Sequence, residues 1–231
     1  MGVVIRVAKL LPALTNSQGD AENAEAIVAT LGWLGRSAGI VSCDVGSHLS
    51  PCDVFVLGHV TESDFAAARD QVALWADALL ASVSKGSIIL AVGSGIELLV
   101  SIGLLNGVVR PHQSRSVTDC VVDAEGNELW GFENSACGYL RSDLERPLGV
   151  VLAGIGNGDG TEGVRSEFGQ GLVLATHLHG PVLVRNEELM DEIVSRATHV
   201  SEVTVNTATG QRARSLAREN RAAMIALTKR S

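Results

Sequence analysis

The stretch Ile88-Ile89-Leu90-Ala91-Val92-Gly93-Ser94-Gly95-Ile96-Glu97-Leu98-Leu99 is an apolar strand that runs into a small-residue turn and then into an apolar helix. That order is the grammar of a nucleophile elbow, in which a strand delivers one residue, held in a strained backbone conformation, to a helix whose free N–H groups can stabilise an oxyanion. The residue at the apex is Gly93. Glycine carries no nucleophile, so the same stretch that points to a fold also questions its chemistry.

Toward the N-terminus, Val3-Val4-Ile5-Arg6-Val7 is a β-branched run suited to a central strand, followed by Pro12 and the polar turn Thr15-Asn16-Ser17-Gln18-Gly19-Asp20. Asp20 is placed to cap a helix with Ala26, Ile27, Thr30, Leu31 and Leu34 on one face, which Gly35 ends. Ile40 to Val45 and Asp53 to Gly58 read as the next two strands. Thr61 and Asp64 have capping-box spacing before a helix expected to bury Phe65, Val72, Trp75, Leu79 and Leu80. This alternation predicts an α/β fold, an open and mostly parallel sheet with helices on both faces.

Toward the C-terminus, Ser116 to Val122 and Glu128 to Glu133 read as strands around the turn Ala124-Glu125-Gly126-Asn127. Val150 to Ala153 and Leu172 to Ala175 are further strands, separated by the glycine-rich segment Gly154 to Gly163. Two helices follow. Asn186 is placed to cap the first, which carries Leu189, Ile193, Val194 and Ala197; the second, from about Ala208 to Lys229, carries Leu216, Ala223, Met224 and Leu227. Arg212, Arg214, Arg218, Arg221, Lys229 and Arg230 make this last helix basic, and a solvated face is the expectation for it ahead of a docking surface.

With 231 residues, 46% of them apolar and only 3% aromatic, the chain has room for one large α/β domain with strands buried on both faces. A formal charge of -8 argues against a general grip on nucleic acid, which relies on clustered Lys and Arg. No apolar run approaches the roughly 18 to 20 residues of a membrane helix, and the cytoplasm is the expected location. Cys43, Cys52, Cys120 and Cys137 show no C-x-x-C pairing, which suggests reduced thiols.

Gly154-x-Gly156-x-Gly158-x-Gly160 lacks the Gly-Lys-Ser/Thr of a P-loop and does not open the first β-α unit as a dinucleotide fingerprint would. A tight loop tolerating positive φ is the better reading. His177 and His179 alternate at the end of a strand without a third ligand nearby, so no metal is expected. A histidine at a strand's carboxyl end is well placed as a general base. His48, His59, His112 and His199 lack such context and are expected on the surface or in loops.

These motifs together resemble class I glutamine amidotransferase domains of the cobyric acid synthase type (CobB/CobQ-like), most closely the GatD type, the glutaminase subunit of lipid II isoglutaminyl synthase. Four blocks carry the resemblance: Leu14 to Asn23, Leu90 to Leu99, Gly131-Phe132-Glu133-Asn134, and Gly156 to Arg165 with Thr176-His177-Leu178-His179-Gly180-Pro181. It spans Val3 to about Val194 and implies a flavodoxin-like α/β fold with an amidotransferase-like domain over 1–200; the tail beyond Val200 is not covered by it, and 201–231 reads from its residues as a basic helical extension. It also implies an activity in which an elbow cysteine attacks the side-chain amide of glutamine, a histidine shuttles the proton, and ammonia passes to a Mur-ligase-like synthetase partner that amidates lipid II. No cofactor is implied. His179 matches the catalytic histidine and Asp20 the acidic residue that orients it, while Gly93 matches the cysteine.

The departures gather around the pocket. The usual Cys-Gly-Gly-Tyr-Gln reads Gly93-Ser94-Gly95-Ile96-Glu97, the glycine-rich loop after the third strand reads Gly58-His59-Val60-Thr61-Glu62, Ser135-Ala136-Cys137 replaces His-Gly-Gly, and His177 replaces a tyrosine. By resemblance Ser94, Glu97, Gly58 and Asn134 line the site for glutamine or another small molecule. Ser94 is one residue out of register for a nucleophile, and Cys137 would lose the elbow geometry. The expectation is a catalytically inactive homologue. The alternatives are an active glutaminase subunit with an atypical or engineered site, and a non-catalytic binding or scaffold subunit. Because an elbow apex with a side chain stores on the order of 1 to 3 kcal/mol of strain that glycine relieves, Gly93→Cys is expected to lower the thermal midpoint without by itself producing ammonia from glutamine.

Overall fold

The computed structural model describes residues 4–230; Val3, at the start of the first expected strand, lies outside them. The elements run β1 (Ile5–Leu10), α1 (Asn23–Trp33), β2 (Ala38–Cys43), β3 (Val54–Leu57), α2 (Phe65–Ser84), β4 (Ile88–Val92) and α3 (Gly95–Ser101). There follow β5 (Val108–Ala124), β6 (Asn127–Leu140), β7 (Gly149–Ala153), β8 (Thr161–Glu162), β9 (Val164–Phe168), β10 (Gly171–Thr176), α4 (Val182–Arg185), α5 (Glu187–Thr198) and α6 (Ala208–Thr228). The main sheet has the order β2-β1-β3-β4-β10-β9, parallel except for the edge strand β9. A second, antiparallel sheet has the order β6-β5-β7-β8.

Successive residues of a strand point to opposite faces, and here both faces are covered. Ile88, Leu90 and Val92 of β4, with Val54, Val56, Leu172 and Leu174, pack under α1, α5 and the β5–β6 hairpin. Ile89 and Ala91, with Phe55, Leu57, Val173 and Ala175, pack under α2 and α3. All five residues of β4 are buried, which makes the strand leading to Gly93 the central rod of the molecule. Among the described residues no helix is long and apolar enough to cross a membrane.

Several local expectations give way to tertiary contacts. Asp20 does not cap α1: Asp20–Glu22 form a 3-10 turn without a side-chain cap, because the carboxylate is drawn to groups on other strands. The Thr61 hydroxyl donates to the Asp64 carboxylate at 2.8 Å, which satisfies that pair before it can cap α2. Leu80, Leu216 and Leu227 are exposed rather than buried; on α2 the inward stripe runs instead through Ala68, Val72, Trp75, Leu79 and Val83. The hairpin extends well past both expected strands, since its arms pair from Ala124 with Asn127 back to Val108 with Leu140. β9, which is not among the expected strands, follows the glycine-rich segment and carries the charged Arg165 and Glu167.

The basic helix α6 is not merely solvated. Arg214 pairs with Asp191, Arg218 with Glu187 at 3.0 Å and Arg221 with Glu188, all on α5, and Lys229 pairs with Glu128 on the hairpin. Its apolar contacts include Ile225 and Met224 in a cluster with Val121 and Trp130, and the Trp130 indole N–H donates to the Thr228 hydroxyl at 3.2 Å.

Asn186 also does other than cap. Fully buried, it accepts from the Trp130 N–H and donates to the Trp130 and Val182 carbonyls, each at 2.9 Å, so it ties the hairpin to α4. Removing it strands a buried N–H, which costs about 1 to 3 kcal/mol on top of the lost bonds. Urea unfolding of Asn186→Ala is expected to show about 3 kcal/mol less stability with an unchanged slope.

Candidate active site

β4 ends in Gly93, whose φ is +57°, and its N–H donates to the Thr176 carbonyl at 2.8 Å, which fixes the apex against the end of β10. The chain turns at once into α3, with the Ile96 N–H on the Gly93 carbonyl at 3.0 Å. Gly95 is required for close packing, because a β-carbon there would stand 2.9 Å from the Leu57 carbonyl oxygen. An elbow is therefore formed, with glycine at its point.

His179 follows β10 and is fully buried. Its N–H donates to the Phe132 carbonyl at 2.8 Å, and the Phe132 ring stands 5.5 Å from the imidazole. Nδ1 lies 3.1 Å from the Asp20 carboxylate, which orients the ring with Nδ1–H toward the acid and the Nε2 lone pair outward. Among the described residues Nε2 has no hydrogen-bond partner, and it faces the apex, 3.1 Å from where a β-carbon on Gly93 would be. Asp20, also fully buried, accepts from the Gly180 N–H at 3.0 Å and the His59 N–H at 3.1 Å.

His59, expected on the surface or in a loop, lies in the loop after β3 and stands beside these residues. Its ring meets His179 edge to face with centroids 5.1 Å apart, and its Nδ1 accepts the Ser94 N–H at 3.3 Å. A position just beyond the carboxyl end of β3, where ligands gather in open α/β sheets, was the available signal. Burial, reinforced by His179 and opposed by Asp20, lowers the His59 pKa from the usual 6.5 to about 4.

The remaining candidates are distributed around this centre. The Ser94 hydroxyl accepts from the Val60 N–H at 2.8 Å and donates to the Val60 carbonyl at 3.0 Å, so it is turned away from the apex. Gly58 packs its α-carbon against the Thr15 carbonyl and the Asp20 side chain, leaving no room for a β-carbon. Glu97 sits in the first turn of α3, its carboxyl pushed up by burial and pulled back by His177. Asn134 accepts from Arg115 Nε at 2.7 Å, and Arg115 also pairs with Glu62 at 3.1 Å.

Glu133, buried, accepts from the Ser116 hydroxyl at 3.0 Å and from the Ile155 and Gly156 N–H groups, and so hangs the glycine-rich loop from the hairpin. The two alternating histidines have separate carboxylates: Glu162 lies 3.5 Å from His177 Nδ1, and Asp20 serves His179. Among the described residues no group of three or more His, Cys, Asp or Glu is placed to hold a metal ion. Cys43, Cys52 and Cys120 are buried; Cys137 is half-buried, its thiol raised first by burial and then by Glu97 and Glu62.

A glycine elbow facing a histidine–aspartate pair across the carboxyl ends of β4 and β10 is set in the fold of class I glutamine amidotransferases. PurLQS from Thermotoga maritima has the same fold at a TM-score of 0.58 and 18% identity, over 84% of this chain and 96% of that one. The glutaminase domain of CTPS from Trypanosoma brucei, with bound acivicin, gives 0.57 and 13% over 86% and 96%. A glutamine amidotransferase from T. maritima gives 0.52 and 12% over 97% and 95%.

In sequence the chain is GatD-like. It is 26% identical over 165 residues to the GatD subunit of lipid II isoglutaminyl synthase (glutamine-hydrolyzing) from Staphylococcus aureus (strain N315), a match that spans 66% of this chain and 66% of that protein. No family model matches the chain.

The depressed His59 pKa has a definite sign in stability. Below pH 6.5 the unfolded chain takes up a proton at this residue that the folded chain refuses until about 4, so the contribution present above 6.5 is lost progressively between those values. The thermal midpoint of His59→Asn is expected to fall less steeply than that of the parent protein between pH 6.5 and 4, measured in parallel melts.

Proposed function

We propose that this chain is a GatD-type glutaminase-fold subunit that does not hydrolyse glutamine. The carrying observation is Gly93 at the elbow apex, with φ +57° and with Nε2 of His179, which has no hydrogen-bond partner among the described residues, directed at it. The general base and its orienting acid are present, yet nothing at the apex can attack a carbonyl. The neighbouring hydroxyl of Ser94 is held by the Val60 backbone.

The kept scaffold supports a role for the fold apart from the reaction, as a binding or scaffold subunit. The similar S. aureus protein is named as a subunit, and on that basis the partner we propose is a Mur-ligase-like synthetase. Residues 1–200 would form the amidotransferase-like unit and 201–231 its basic extension.

Purified protein incubated with glutamine, alone and with a Mur-ligase-like synthetase, is expected to release no ammonia above a boiled control. Glutamine-dependent ammonia release by the natural sequence would overturn the proposal in favour of an active glutaminase with an atypical site. Co-purification with the synthetase is the expected companion result.

A further inference from the structure

Gly93 and His59 occupy one volume. A β-carbon on Gly93 would stand 2.5 Å from His179 Cε1 and 2.8 Å from His59 Nδ1, where ordinary carbon contacts are about 3.5 to 4.0 Å. Any side chain at the apex therefore meets two imidazoles, in addition to the strain of a left-handed φ.

The His59 backbone is fixed on several sides. Its own N–H is held by Asp20, its backbone bridges to Asn16, and the next residue, Val60, is bound through both N–H and carbonyl to the Ser94 hydroxyl. The ring itself is held by the Ser94 N–H. That N–H belongs to the residue after the apex, the position from which an elbow supplies an oxyanion donor.

We propose that His59 is a built-in plug of the emptied site: its imidazole fills the space of the nucleophile's side chain and takes the oxyanion donor, Ser94 N–H, as its own hydrogen-bond partner, so that Gly93 and His59 form one coupled pair. This rests on reading Gly93 as the vacated nucleophile position. Only a neutral imidazole has a lone pair at Nδ1 for the Ser94 N–H, and burial keeps His59 neutral down to about pH 4. The plug accounts for two features at once, the glycine at the apex and the histidine that follows Gly58 in the loop after β3, and it makes the site closed to an acyl group rather than merely unreactive.

A double-mutant cycle tests the coupling. Gly93→Ala is expected to lower the melting midpoint by about 5 °C or more, and adding His59→Gly is expected to recover part of that loss, so that the double variant melts above Gly93→Ala. A double variant whose loss equals or exceeds the sum of the two single losses would overturn the proposal. Amide exchange reads the second half without touching position 93. In His59→Gly the Ser94 N–H should exchange at least tenfold faster than in the parent, while the Leu98 N–H, which donates to the Ser94 carbonyl, keeps its rate.

Unchanged exchange at Ser94 would also overturn the plug, whether or not the position-93 variants fold. Neither result depends on ammonia release. A failure of the plug is thereby distinct from a failure of the inactive reading, which glutamine hydrolysis by the parent alone decides.

Discussion

The carboxylate of Asp20 is the point on which the site depends. It is fully buried and holds two other segments: through the His59 N–H the one after β3, and through the Gly180 N–H and the Nδ1 of His179 the one after β10. A buried charge is tolerated only when its oxygens are satisfied by strong donors. Here the donors come from loops at the carboxyl ends of separate strands, so satisfying the charge also sets the distances between those ends. The histidine is oriented as a by-product of the same bonds.

The site is continuous with the second sheet and the C-terminal helix. The Phe132 carbonyl on β6 receives the His179 N–H, and two residues earlier the Trp130 backbone is clamped by Asn186, whose side chain also holds the Val182 carbonyl of α4. Arg185 lies over the Trp130 ring at 4.7 Å, and the indole N–H reaches Thr228 on α6. A short chain of buried contacts thus runs from α6 to the residue that faces the elbow. The ion pairs between α5 and α6 close this side by charge complementarity within the chain itself.

Where sequence patterns were strong and local, they matched the molecule. β4, the elbow and α3 could be read residue by residue, because a fully apolar run, small residues and a second apolar run leave few alternatives. Caps were harder. Asp20 and Asn186 both precede helices and have the right chemistry, yet the carboxylate of one and the amide of the other are taken by partners that local spacing does not reveal. Leu216 and Leu227 fell on the solvent side of α6 because ion pairs, more than an apolar stripe, orient that helix.

By itself the sequence determined the α/β alternation, the elbow and the absence of a nucleophile at Gly93, and only a resemblance pointed to Asp20 and His179 as its companions. Only the tertiary structure decided that the His59 ring meets His179 and takes the Ser94 N–H. Element type is written in periodicities of a few residues, whereas His59 meets Asp20 across 39 positions and His179 meets Asp20 across 159. Such neighbours are made by which strand ends converge, and a parallel sheet brings together loops that the chain keeps far apart.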